Sequence, residues 1–133
     1  MNWDDENFFS EENEGSLEEC IYEKKHCSKK VINICREYVT GNSMHYTDWF
    51  DTSGCTLYTF FIQNIGCDPA FVFAQVSPDK RAIVNDPFST DIPPSETKAI
   101  VSQKYGFYTR IAFKSLDKCK KTTLNIFFQA QKL

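Results

Sequence analysis

From residue 31 onward, apolar and polar side chains alternate over short segments, and this period of two limits the chain to β structure. In Thr122–Gln131 the apolar residues Leu124, Ile126 and Phe128 fall on one face, and Thr56–Ile65 is apolar on both faces. Turn-forming residues separate such segments about every 8 to 12 residues. The pattern predicts an all-β fold, an antiparallel β-sandwich or jelly roll of about eight strands.

The chain divides into two parts of opposite charge. Residues 1–19 contain eight acids and no base: Asp4, Asp5, Glu6, Glu11, Glu12, Glu14, Glu18 and Glu19. The remainder holds all 15 Lys and Arg against 10 acids (18 − 8), so the arm carries −8 and the rest +5. We expect residues 1–30 to form an acidic N-terminal arm and connector with cysteines, and residues 31–133 to form the sandwich.

The sequence argues against a protein with a membrane-spanning helix and against one with a secretory signal. No apolar run approaches the roughly 20 residues that a membrane helix needs. The first 19 residues have neither the basic nor the apolar region of a secretory signal, so we expect synthesis in the cytosol without a signal peptide and no membrane partner.

Six cysteines are unusual for a chain made in the cytosol, where thiols usually stay reduced. Cys20, Cys27 and Cys35 are too widely spaced for a structural zinc pair, so no metal or other cofactor is expected. One interpretation is that some of the cysteines are buried apolar thiols. The other is that they form disulfides late, after assembly or release.

The surroundings of the cysteines rank their reactivity. Cys27 and Cys119 lie among lysines, which favour the reactive thiolate, whereas Cys20 follows two glutamates, which disfavour it. Cys55 and Cys67 flank the central strand and cannot pair with each other while it is straight. The candidates for inter-subunit cross-links are Cys20, Cys27, Cys119, Cys55, Cys67 and Cys35. The alternative is that the arm is stapled to its own sandwich.

Three aromatic residues interrupt the acidic arm. Trp3, Phe8 and Phe9 are predicted to anchor it on a partner surface, either a neighbouring subunit or the chain's own body. The charge difference between arm and body favours a head-to-tail contact between copies, which does not close on itself and therefore gives filaments.

The second half resembles a β-sandwich family of unassigned function from spore-forming Bacillota. The resemblance rests on AFVFAQVSPDK (Ala70–Lys80), PPSET (Pro93–Thr97), YTRIAFKS (Tyr108–Ser115) and TTLNIFFQAQ (Thr122–Gln131). Lys80 and Ser95 stand where that family usually has glycine. The layout is also similar to endospore appendage subunits, which implies a jelly-roll body with a cysteine-bearing connector that links neighbours by disulfides on the spore surface.

The leading hypothesis is a self-assembling, non-enzymatic subunit of a disulfide-linked spore-surface fibre or coat. Its expected partners are copies of itself and other spore-coat proteins, not nucleic acid. The alternative is a glycan- or protein-binding surface module that uses aromatic platforms: Tyr46, Trp49, Tyr58 and Tyr108. The sequence gives little support to a catalytic function, because only His26 and His45 can act as near-neutral acid–base groups.

Overall fold

A computed structural model describes residues 18–23 and 30–132, and for 18–23 the description covers the backbone alone. These ranges contain ten strands and no helix. The strands are β1 (Glu18–Glu23), β2 (Lys30–Val39), β3 (His45–Tyr46), β4 (Phe50–Asp51), β5 (Cys55–Asn64), β6 (Ala70–Ser77), β7 (Val84–Ile92), β8 (Thr97–Ile100), β9 (Tyr108–Ser115) and β10 (Thr123–Lys132). No helix in the described ranges is long and apolar enough to cross a membrane.

The strands form two antiparallel sheets. Sheet I has the order β1-β2-β10-β5-β8, and sheet II has the order β3-β9-β6-β7, with β4 also paired to β9. If β3 and β4 are taken as two halves of one interrupted strand, β2 to β10 divide into two sheets of four in the order of a jelly roll. This confirms the predicted fold class, an antiparallel β-sandwich.

The core lies between the inner faces of the two sheets. Phe60 and Ile62 of β5 and Ile126 of β10 are almost completely buried from sheet I, and Val72 and Ile111 are buried from sheet II. A cluster of rings occupies one region of this core: the centroid of Phe128 lies 4.7 Å from that of Phe50 and 5.1 Å from that of Phe60. Each fully buried large side chain contributes about 1.5–3 kcal/mol, so the alternating residues that predicted the strands also hold the sheets together.

Two long cationic side chains form bridges between the two sheets at the sides of the sandwich. On one side Arg36 of β2 forms an ion pair with Asp48, in the segment between β3 and β4. On the other side Lys98 of β8 donates to the Thr90 hydroxyl (3.1 Å) and to the carbonyl of Asp91 (2.7 Å) on β7. Arg36 therefore joins β2 of sheet I to the segment between β3 and β4, and Lys98 joins the edge strand β8 of sheet I to the edge strand β7 of sheet II.

Three non-glycine residues among those described adopt a left-handed backbone: Lys80, Ser95 and Cys119, the last with φ 62°. Lys80 has φ 72° and Ser95 has φ 69°, a region that strongly favours glycine. Lys80 and Ser95 are the two positions at which the resembling family usually has glycine, and here lysine and serine adopt the backbone that glycine favours.

The structure corrects the sequence analysis at one core position. The period of two in residues 107–115 (FYTRIAFKS) predicts that Phe107 points inward with Ile111 and Phe113. Phe107 is instead 53% exposed, because β9 begins only at Tyr108. Within the predicted connector, β1 pairs with β2 as an edge strand of sheet I.

Candidate functional site

Two loops bring Cys67 and Cys119 to the same end of the sandwich, here called the two-cysteine pole. Cys67 lies in the β5–β6 loop and Cys119 in the β9–β10 loop, and both are exposed free thiols. The loops touch at Gly66, where an added Cβ would lie 2.0 Å from Thr122 Oγ1 and 2.7 Å from the nitrogen of Thr123. Only glycine allows this approach.

Buried hydrogen bonds fix the two-cysteine pole. Asn64, which is 0% exposed, donates to the carbonyls of Asp68 (2.8 Å) and Ile92 (2.9 Å). Its Oδ1 accepts from the Gly66 amide (3.0 Å) and the Thr122 hydroxyl (2.6 Å). One side chain therefore ties both cysteine-bearing loops to the end of β7.

Cys55 lies at the opposite end, the Cys55 pole, where β5 begins. It is a half-buried free thiol beside a cavity of about 210 Å³ whose lining includes Leu57, Tyr58, Val101 and Tyr105. Burial raises the pKa of the Cys55 thiol, while Lys132 acts to lower it and Asp51 to raise it. Cys55 is therefore less reactive at neutral pH than an ordinary thiol.

Exposed apolar side chains surround the thiols at both poles. Val39, Ile65 and Leu116 are 56%, 47% and 44% exposed beside the loops of the two-cysteine pole. At the Cys55 pole, Leu57, Val101, Tyr105 and Phe107 are 66%, 55%, 57% and 53% exposed. Groups of exposed apolar residues commonly mark interaction sites.

The outer face of sheet II carries a row of cations seated on aromatic rings, here called the stripe. Its members are Tyr46, Trp49, Phe71, Phe73, Gln75, Lys80, Asn85, Tyr108, Arg110 and Lys114. The Arg110 guanidinium carbon lies 4.1 Å from the Tyr46 ring centroid and 4.2 Å from that of Trp49. Lys80 Nζ is 4.8 Å from the Tyr108 centroid, and Lys114 Nζ is 5.9 Å from that of Phe71.

Register accounts for the polar centre of the stripe. Arg110 of β9 is paired with Gln75 of β6, which is paired with Asn85 of β7. Arg110 Nε donates to Gln75 Oε1 (2.8 Å), and Gln75 Nε2 donates to Asn85 Oδ1 (2.8 Å). Gln75 is only 8% exposed, so it supports the guanidinium from the side that faces the sheet.

One family model matches most of the β-sandwich. The model of the DUF6385 family, described as a domain of unknown function, matches residues 51–132, more than half of the chain. The chain belongs to the DUF6385 family. No curated protein matches it.

Among solved structures, the DUF6385 chain is similar to one described as the crystal structure of PirA. The TM-score is 0.54 at 13% identity, covering 71% of this chain and 92% of that one. The cupin domain of Schizosaccharomyces pombe Cnp3 (TM-score 0.36, 8% identity, 89% and 63% covered) and Drosophila melanogaster CENP-C bound to CAL1 (0.35, 8%, 86% and 76%) are more distant. The likeness to PirA shows the fold alone.

The structure brings together only some of the residues predicted to form sites in this DUF6385 protein. Tyr46, Trp49 and Tyr108 share the stripe, whereas Tyr58 packs against the core and its hydroxyl is 2.7 Å from that of Ser102. The sequence analysis missed Arg110 and Gln75 as members of the site. The outward position of Arg110 was predictable, but its pairing with Gln75 depends on the register between β9 and β6.

Other predicted residues lie apart. Cys35 is half-buried on β2. The backbone of Cys20 on β1 pairs with Asn33. Trp3, Phe8, Phe9, His26 and Cys27 lie outside the described residues.

The acid–base candidates of the DUF6385 protein have separate partners. His45 Nδ1 is 2.9 Å from the carbonyl of Ser43, Asp48 is paired with Arg36, and Asp51 binds Ser53. Hydrogen bonds from the Ser53 hydroxyl and amide lower the pKa of Asp51. No group of three or more potential metal ligands occurs among the residues that the structure describes.

Proposed function

We propose that this DUF6385 protein is a non-enzymatic structural subunit that assembles head to tail with copies of itself and is then fixed by disulfides. The observation that carries the proposal is the distribution of free thiols, with Cys67 and Cys119 at one pole and Cys55 at the other. The strand β5 separates the poles, so a bond between Cys55 and either exposed thiol joins two chains more readily than it closes one.

The apolar surroundings of the thiols support the same proposal. A contact between unlike poles is heterologous, so each added subunit presents a fresh pole and the assembly grows as a filament. Burial of exposed apolar side chains at such a contact, at roughly 25 cal/mol per Å², stabilises it before oxidation. The disulfide then makes it durable.

The resemblance to endospore appendage subunits suggests where this assembly takes place. We propose synthesis in the cytosol followed by oxidation on the spore surface, with other coat proteins as additional partners. That order resolves the presence of six cysteines in a chain of cytosolic origin. The arm residues Trp3, Phe8 and Phe9 would add docking contacts on the neighbouring subunit.

Oxidation of the purified protein tests the assembly. We expect a ladder of multimers on non-reducing electrophoresis, loss of the ladder with reductant, and fibres by electron microscopy. In a mixture of ¹⁴N- and ¹⁵N-labelled protein, peptides that join Cys55 to Cys67 or Cys119 should carry both labels. Monodisperse particles after complete oxidation would rule out the fibre.

Serine variants identify the cross-linking thiols. Cys55→Ser should shorten the ladder, because one pole loses its thiol. If the double variant Cys20→Ser, Cys27→Ser leaves the ladder unchanged, the connector cysteines are not required.

A second function is favoured by a different observation, the stripe on sheet II. Aromatic rings and cations concentrated on the outer face of sheet II, between the two poles, support a surface-binding module. This function is compatible with assembly, because a contact between poles leaves the face of the sheet uncovered.

A further inference from the structure

Among the described residues, none of the cations of the stripe forms an ion pair with a carboxylate, although Asp51 is near enough to Lys80 for that charge to help lower its pKa. The described residues form one ion pair, which joins Arg36 to Asp48 at a side of the sandwich. Lys80, Arg110 and Lys114 lie on rings instead. Their charge is therefore available to a ligand with negative charge.

Arg110 is held in a fixed position before any ligand arrives. Two rings clamp its guanidinium, and its Nε–H is bound to Gln75. Its terminal nitrogens have no acceptor in the part of the chain that the structure describes. A planar group with a fixed orientation and free N–H donors suits bidentate binding of a carboxylate and loses little entropy on binding.

The stripe is a sheet face, which limits how a ligand is recognised. The backbone groups of β6 are engaged by β9 on one side and β7 on the other. An extended peptide that binds as an additional strand needs a free edge, and the centre of the stripe, on the inner strands β9 and β6, offers none. Recognition must therefore come from side chains, here rings with amide and guanidinium groups beside them.

Sugars match these side chains. The apolar C–H face of a pyranose ring packs on an aromatic ring, and its hydroxyls exchange hydrogen bonds with amides such as that of Asn85, whose Nδ2 has no partner among the described residues. From Tyr108 to Lys114 the stripe extends six residues along β9, about 20 Å at the rise of a strand. That length accommodates several sugar units rather than one.

We infer that the stripe binds a carboxylated polysaccharide, a polymer that contains uronic acid, with Arg110, held between Tyr46 and Trp49, on a carboxylate and the ring of Phe73 against a sugar face. This inference rests on the second proposed function and is independent of assembly through the thiols.

Binding to polygalacturonate tests the inference. The full-length protein is kept reduced so that disulfides cannot form, and its affinity is measured by titration calorimetry and by electrophoresis in gels containing the polymer. We expect binding to polygalacturonate and little binding to its methyl ester, which has the same sugars without the charge. Arg110→Gln should weaken binding about tenfold or more, the usual effect of losing a charged hydrogen bond.

Two further variants separate the contributions. Lys104→Gln removes the same charge from an exposed position in the β8–β9 loop and should change the affinity less than twofold. Trp49→Ala should weaken binding by about three- to tenfold, because Arg110 loses one of the two rings that hold its guanidinium in place. Each variant should have the wild-type circular dichroism spectrum, so that a loss of affinity reports on the stripe and not on the fold.

Polyglutamate distinguishes a glycan from an acidic polypeptide. Equal affinity for polyglutamate, lost equally in Arg110→Gln, would overturn the inference and favour an acidic segment such as residues 1–19 as the occupant. Failure to bind polygalacturonate would also overturn it. Neither outcome affects the multimer ladder, so the failure of this inference and of the assembly proposal are distinguishable.

Discussion

The two poles of the sandwich present cysteines in different ways. At the two-cysteine pole, loops braced by buried Asn64 hold exposed thiols. At the Cys55 pole, the thiol lies half-buried where a strand begins, beside buried Thr52. The two ends of the sandwich therefore present thiols of unequal exposure, and each end has a buried polar residue near its thiols.

The largest expected effect comes from Asn64→Ala at the two-cysteine pole. The variant removes four hydrogen bonds from a buried position and should lower the free energy of unfolding by about 3 kcal/mol. Urea unfolding in reductant measures it. The matched control is Asn125→Ala, whose single 3.5 Å bond to Gln63 should make the cost less than about 1 kcal/mol. Equal costs would show that Asn64 does not brace the pole.

A smaller effect is expected at the Cys55 pole from Thr52→Val. The hydroxyl of Thr52 donates to the carbonyl of Gly106 (2.7 Å) and lies 3.1 Å from that of Thr109. Its loss should cost about 1–2 kcal/mol, since valine has the same shape but leaves buried polar groups unpaired. Thr56→Val, at an exposed position, is the control and should change stability by about 0.5 kcal/mol or less. If Thr52→Val lowered the free energy of unfolding more than Asn64→Ala does, the Cys55 pole would depend more on its buried polar residue than the two-cysteine pole does on Asn64.

Ser95→Gly should stabilise the protein by about 0.5–1 kcal/mol. Ser95 lies in a left-handed turn, and its amide donates to the carbonyl of Asn64 (2.9 Å), so relief of strain acts on the two-cysteine pole. Ser95→Ala keeps the Cβ and should give no such gain. A gain equal in both variants would point to the lost hydroxyl instead of the backbone.

The last prediction concerns the pH dependence of Cys55. Because burial raises its pKa, the neutral thiol is favoured in the folded state. Its contribution to stability is therefore complete below the unfolded pKa and is lost as pH rises through the folded pKa. Alkylation followed by peptide mass spectrometry should place the midpoint of Cys55 reactivity at a higher pH in the folded protein than in denaturant. If the midpoints in the folded and the denatured protein coincided, folding would not raise the pKa of Cys55.

Strand periodicity carried most of the fold prediction. β5, β6, β9 and β10 were all evident as segments of strand length, because their inward residues supply the core. β7 (Val84–Ile92) is harder to predict, since the sequence there indicates only a short strand at Ala82–Asn85. Asp86 is buried in β7 because its carboxylate accepts from the amides of Gln103 (2.7 Å) and Lys104 (3.2 Å), which no local pattern reveals.

The candidate sites were only partly predictable. Tyr46, Trp49 and Tyr108 were correctly singled out as candidate platforms, but Tyr58 was grouped with them although it faces the core. Its position on β5 with Phe60 and Ile62 already placed it on that face. The arrangement of Arg110 over two rings depends on strands distant in sequence, so spacing alone does not indicate it.

The sequence by itself determined that this chain forms a β-sandwich, because alternation of apolar residues fixes which face of each strand is buried. It also determined that Cys55 and Cys67 lie apart, because a straight strand separates them. Only the tertiary structure decided that Cys67 shares a pole with Cys119 and that three cations lie on rings along one face. Those placements depend on which strands are neighbours and in which register, and contacts between distant segments set both.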